Sequence, residues 1–142
     1  MLQNVASDPG ALAPEELRAQ YDDRLRETVE TVGAATVAEE AGVSRESVDA
    51  LAAGESPDLT LEEAAAILAT EAETPDADAI EMEVLDELMM GMSIAVVDVE
   101  SLEADLDGEL DAKEIQQKIE GRFPVSLSEL AAIQQAIEAR KP

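Results

Sequence analysis

Apolar residues recur along this chain at steps of three and four, the period of an amphipathic helix. Leu17, Tyr21, Leu25, Val29 and Val32 share one face of a predicted helix that begins after Pro14 and stops at Gly33. A short segment, Thr36 to Ala41, closes at Gly42. Ser44 then caps a helix bearing Val48, Leu51 and Ala52, which ends at Gly54. Thr60-Leu61-Glu62-Glu63 has the hydroxyl and carboxylate spacing of a capping box and opens a helix over Leu61 to Ala69. The stretch Glu71 to Asp76 reads as a linker.

The second half follows the same plan. Asp78 is the predicted cap of a helix bearing Ile80, Val84, Leu85, Leu88, Met92 and Val96, running through Gly91. The β-branched residues Ile94, Val96, Val97 and Val99 would also suit a strand, but no partner strand is visible, so helix is preferred. A short helix over Leu102 to Leu106 follows. Capping boxes at Asp111 to Glu114 and Ser126 to Glu129 then open two more, the last bearing Leu130, Ile133 and Ile137.

Set side by side, the halves read as a duplication. Val48 to Gly54 aligns with Ile115 to Gly121, and Ala64-Ala65-Ala66-Ile67 with Leu130-Ala131-Ala132-Ile133. Upstream, Leu25, Val29 and Val32 align with Met90, Ile94 and Val97 at an offset of 65. The expected fold is all-α, with two tandem helix-turn-helix-like units packed together: residues 1–70, a linker at 71–77, and residues 78–142. Units this small bury too little surface alone, so a shared interface is expected. The methionine-bearing helix from Leu85 to Val96 is its natural element.

Composition changes the picture in two ways. The 142 residues hold 34 acids against nine bases, a formal charge of -25, with no His, Cys or Trp. The missing residue types exclude disulfides, thiol nucleophiles, Cys/His metal sites and histidine bases, and with them the Ser-His-Asp triad. With one Tyr and one Phe there is little to stack a sugar on, so carboxylate-pair glycoside chemistry is not expected either. The protein reads as non-catalytic and cofactor-free. The acids are spread along the chain with no block of five like charges, a composition that resembles salt-adapted proteins. The N-terminus lacks a basic and apolar leader, and no apolar run approaches the ~20 residues of a spanning helix. Hence the expectation is a cytoplasmic protein without a membrane partner.

The segment Ala38-Glu39-Glu40-Ala41-Gly42-Val43-Ser44 has the small residue, turn glycine and helix cap of a helix-turn-helix. With Val48, Leu51, Gly54 and the Thr60 helix, residues 15–70 resemble the Cro/repressor-type helix-turn-helix family. The second copy, Ala104 to Gly108 and on to Ile137, keeps the plan with one extra residue, Glu109, in the turn. The whole chain also resembles an uncharacterised haloarchaeal family of unknown function. The helix-turn-helix resemblance implies that the early residues of the motif's second helix meet base edges. These are Arg45, Glu46, Ser47 and Asp49 in the first copy, where two carboxylates would face phosphates. In the second copy they are Lys113, Gln116 and Gln117, with Lys118 and Arg122 nearby, chemically suited to guanine and adenine.

Three alternatives stand beside DNA recognition. These cations can instead neutralise acids across helix turns, Glu114 with Lys118 being the obvious i,i+4 pair. The fold can serve protein interaction alone. And Glu103 to Glu114 nearly fits a calcium-binding EF-hand loop, with oxygens at Asp105, Asp107, Asp111 and Glu114 and glycine at its sixth position, Gly108. Glu109, just after that glycine, adds a further carboxylate to the loop. Glu103 is a methylene too long for the first ligand. The stripe Met89, Met90, Met92 reads as core or as a homodimer contact.

Overall fold

A computed structural model describes residues 1–142 as eight α-helices without a strand. They are α1 (Pro14–Val32), α2 (Ala34–Ala41), α3 (Arg45–Ala52), α4 (Leu61–Leu68), α5 (Ala77–Ala95), α6 (Val99–Asp105), α7 (Ala112–Ile119) and α8 (Leu127–Ala139). The all-α expectation holds. No helix is long and apolar enough to cross a membrane.

Local chemistry fixes the helix ends. Gly33 and Gly42 take positive φ (101° and 69°) where α1 and α2 stop, a conformation that costs a residue with a Cβ more. Ser44, Thr60, Asp111 and Ser126 each accept a hydrogen bond from the backbone N–H three residues on. The cap of α5 is Asp76 rather than Asp78, its carboxylate taking the Ala79 N–H at 2.8 Å. The two acids are equivalent in sequence, and Asp78 falls in the first helical turn. The β-branched run after Met92 forms no strand. Helix α5 continues to Ala95, Val96 turns the chain, and Asp98 caps α6.

The plan of long, short, short and capped helix repeats. Helix α1 packs most extensively on α8, and α5 on α4, so the long helix of each half covers the last helix of the other. Where the capping boxes meet, the Leu61 N–H donates to the Val125 carbonyl at 2.8 Å and the Leu127 N–H to the Leu59 carbonyl at 2.9 Å. This reciprocal antiparallel bridge joins Thr60 to Ser126. A shift of 66 residues exchanges the two bonds, turning Leu61 into Leu127 and Leu59 into Val125, as a local two-fold axis would. Thirty buried apolar residues from both halves form one cluster.

The register of the repeat differs from the sequence alignment in the long helices. Both are 19 residues long and begin at 14 and 77, an offset of 63 rather than 65. At 63, Leu17 matches Ile80, Tyr21 matches Val84, Leu25 matches Leu88 and Thr28 matches Gly91, buried residue to buried residue. At 65, buried Leu25 and Val29 would match exposed Met90 and Ile94. Alternative apolar residues two positions along α5 made the wrong register attractive. Gly91 lets α5 approach α8 closely, since a Cβ there would lie 2.9 Å from Ile137 Cγ2 and force that side chain to shift.

Polar groups also tie the halves together. Arg18 on α1 is buried with Asp22 at 3.0 Å and donates to Ser128 Oγ on α8 at 2.8 Å and to the Pro57 carbonyl. Asp22 accepts a further bond from the Ser56 hydroxyl. The Tyr21 hydroxyl donates to Gln134, whose amide donates to the Gln3 carbonyl at 3.0 Å. Burial pushes the Tyr21 phenol far above its ordinary range, which keeps it a donor.

Candidate functional site

Two surfaces compete for a functional role: the outer faces of α3 and α7, and the exposed face of α5.

On α3, Arg45 is exposed but forms an ion pair with Asp49 at 2.8 Å. Ser47 gives its N–H to Ser44 Oγ and accepts from that hydroxyl. Glu46 stands free beside them. On α7, Lys118 is mostly buried and bonds both oxygens of Glu129 on α8, at 2.6 and 2.7 Å. The expected Glu114–Lys118 pair is absent, because Glu114 turns back to the Asp111 N–H to complete the cap. Arg122 lies 3.4 Å from Glu120, and Gln116 also donates to Glu120. Gln117 is half-buried and Lys113 is exposed. Of the nine basic side chains, eight lie in ion pairs with acids of this chain. Lys113 is the ninth.

The acidic turn after α6 is organised by internal bonds. Glu103 accepts from the Ala112 N–H at 2.7 Å, and Asp105 is held by Arg140 at 2.6 and 2.9 Å. The Arg140 hydrogen bonds hold the Asp105 carboxyl below its usual range. Asp111 and Glu114 are occupied in the cap of α7. Asp107 and Gly108 take left-handed backbone conformations (φ 55° and 74°), and Glu109 points to solvent. No group of three or more acidic side chains comes together in a way that could hold a metal ion.

Helix α5 is different. The ten residues Leu88 to Val97 form the longest run without a charge in the chain. Met82, Met89, Met90, Ile94 and Val96 are all exposed, Val96 by 90%. Val96 has φ 53°, a left-handed conformation that is a genuine outlier for a β-branched residue. The repeat supplies an internal comparison at the offset of 63. Where α5 has Met89, Met90, Ser93 and Ile94, α1 has Arg26, Glu27, Glu30 and Thr31. Where the second half has left-handed Val96 (φ 53°, ψ 53°), the first has Gly33, also at positive φ but with an extended ψ (φ 101°, ψ 135°). The frame therefore works with polar residues at these positions and a glycine at the turn.

The family model described as a family of unknown function (DUF5791) matches residues 17–140, from the first turn of α1 to the end of α8. The chain belongs to that family. No curated protein and no solved structure matches the chain. The DUF5791 match spans both halves of the repeat, so the paired long helices and both capping boxes lie within the family unit. The α5 face lies within it too. Sequence reasoning singled out the methionine stripe, yet it took the structure to separate its exposed members from the core.

Proposed function

We propose that this member of DUF5791 is a non-catalytic protein-interaction module on a helix-turn-helix-like frame. The observation that carries the reading is the substitution of apolar for polar side chains on one long helix of a repeated plan. Packing does not require Met90, Ile94 and Val96, because the equivalent residues of α1 are exposed Glu27, exposed Thr31 and Gly33, and at Met89 α1 manages with Arg26, whose guanidinium bonds the Leu51 carbonyl. An exposed apolar patch that stability does not need is the usual mark of an interaction site. Electrostatics argues the same way. DNA affinity comes largely from cations that displace counterions from phosphates, and eight of the nine cations here already pair with acids of their own chain. A duplex approaching α3 would meet Glu46 and Asp49.

One observation favours DNA recognition as the second reading. Lys113 is exposed without an ion-pair partner, on the same helix as Gln116 and Gln117. The two readings separate in a pair of measurements at matched salt. The protein-interaction reading expects a stoichiometric partner that is captured by the wild type and lost with Ile94→Lys, and no duplex enriched from a random pool. Enrichment of a discrete duplex sequence, lost with Lys113→Glu and kept with Ile94→Lys, would overturn it.

A further inference from the structure

Between α5 and the end of α7 runs a groove of about 360 Å³. Met82, Leu85, Met89 and Ile119 form its floor, and Asp78, Glu81, Asp86 and Glu120 its edges. No cation lines it. Gly121 closes one end, where a Cβ would press within 3.3 Å of Leu85 Cδ1. Met89 also lines the next recess along α5, bounded by Val96, Val97 and Asp98, so an apolar strip extends from Met82 toward the turn at Val96. Its helical part, Met82 to Ala95, is about 20 Å long at 1.5 Å per residue, enough to seat about four turns of a partner helix.

We propose that this groove receives an amphipathic helix of a partner protein, with an apolar face on the methionine floor and basic residues along its flanks. The proposal rests on the protein-interaction reading above and names the partner's chemistry.

The occupant follows from what the groove offers. Strand addition needs a free sheet edge, and this fold has no strand. Polyproline recognition needs a row of aromatics, and the chain has only buried Tyr21 and exposed Phe123. That leaves a helix in a groove, read as anchors at i, i+3, i+4 and i+7. Methionine suits this role because its flexible thioether chain adapts to varied partner shapes. The edges then fix the sign of the charge. Glu81 already lies in a negative field: burial, and after it Glu62 and Asp78, hold its carboxyl above the usual range. A second copy of this chain would set the same acids edge to edge and bring together two charges of -25. An anionic membrane surface would be repelled for the same reason. Basic flanks relieve the repulsion, and acidic ones would add to it. The left-handed Val96 adds an independent sign, since backbone held in a conformation that glycine adopts freely concentrates at functional sites.

The test uses the full-length chain and a 16-residue peptide with leucines on one helical face and lysines elsewhere. Two controls accompany it: the same composition scrambled so that the leucines no longer align, and a version with glutamate for lysine. Titration calorimetry at 0.15 M NaCl should give saturable one-to-one binding, at least tenfold tighter than for either control. Met89→Lys and Asp86→Lys should each weaken it at least tenfold, while Glu39→Lys on α2 changes it less than twofold. Met82→Lys, at a still more exposed position, repeats the test should Met89→Lys lose helicity. Equal binding of aligned and scrambled peptides, insensitive to these floor variants, would reduce the effect to diffuse attraction and overturn the groove. A concentration-dependent dimer broken by Met89→Lys would seat a second copy there, overturning the basic partner while leaving protein interaction standing. Selective duplex binding in the experiment above would remove the underlying reading itself.

Discussion

Replacing the α5 surface with the residues that α1 carries at the same positions tests whether stability has any use for it. The variant is Met89→Arg, Met90→Glu, Ile94→Thr and Val96→Gly, matching Arg26, Glu27, Thr31 and Gly33. If Met90 and Ile94 belonged to the core, as the offset of 65 implies by matching them to buried Leu25 and Val29, each substitution would cost at least the roughly 2–5 kcal/mol of a core truncation. Two such losses, about 4–10 kcal/mol together, would remove much or all of the ~5–15 kcal/mol that holds a domain together. At the offset of 63 they are exposed in the fold and in the unfolded chain alike, so surface substitution should cost within about 0.5 kcal/mol each. Glycine at Val96 removes a left-handed penalty of roughly 1–2 kcal/mol. It returns about 0.5–1 kcal/mol of that as chain entropy. The net expectation is a variant within about 1 kcal/mol of wild type, with Val96→Gly alone slightly stabilised. Urea unfolding followed by circular dichroism reads this directly. A loss above about 3 kcal/mol with helicity retained would refute the register and the interaction surface that follows from it.

Arg18→Met should cost about 3–5 kcal/mol in the same urea assay, since it strands the buried Asp22 carboxylate. Arg18→Met with Asp22→Leu should recover most of that, and a single variant costing less than about 1 kcal/mol would show the pair to be dispensable. Glu81→Gln should raise the urea midpoint at pH 7, because the folded state raises the pKa of this carboxyl and so disfavours its charged form. The gain should disappear as pH falls through that raised value to below the ordinary glutamate range, where both chains are neutral at this position; a gain that persists there would disprove the charge origin. Asp105→Asn should act with the opposite sign, losing stability above the ordinary aspartate range, because Arg140 lowers that pKa. Raising NaCl from 0.1 to 1 M shortens the Debye length from about 10 to 3 Å, so the melting temperature should climb, and a flat response would show that a charge of -25 is well tolerated unscreened.

The helices were legible in the sequence because period and caps agree in this chain. Ser44, Thr60, Asp111 and Ser126 all cap as their spacing indicates. What escaped depends on contacts between distant segments. Leu2 is fully buried, and Gly10 lets the N-terminal turn approach α8, where a Cβ would sit 2.8 Å from the Ala139 nitrogen. Neither position carries a periodic signal. The partner of Lys118 was missed for the same reason. Helix periodicity offers Glu114, whereas tertiary packing brings up Glu129. The register of α5 was ambiguous because apolar residues occupy two faces of that helix, one for the core and one for the groove. A helix with apolar residues on both faces carries no internal mark of which is buried, and only the matching burial of α1 and α5 resolves it.

That two-faced helix also divides the work within the groove. The floor of Met82, Leu85, Met89 and Ile119 is uncharged, so the attraction it offers is insensitive to screening and sets how long a partner stays. The acids at its edges act over distance, hastening the approach of a basic segment and turning away acidic ones. In a chain whose surface is acidic almost everywhere, electrostatic attraction alone would draw any cation to any face. Selectivity must therefore come from a place where negative edges enclose an apolar floor, as they do in this groove. Salt separates the two contributions: screening removes the steering and leaves the floor. A site built this way keeps its preference for an amphipathic helix even where ionic strength has silenced the rest of the acidic surface.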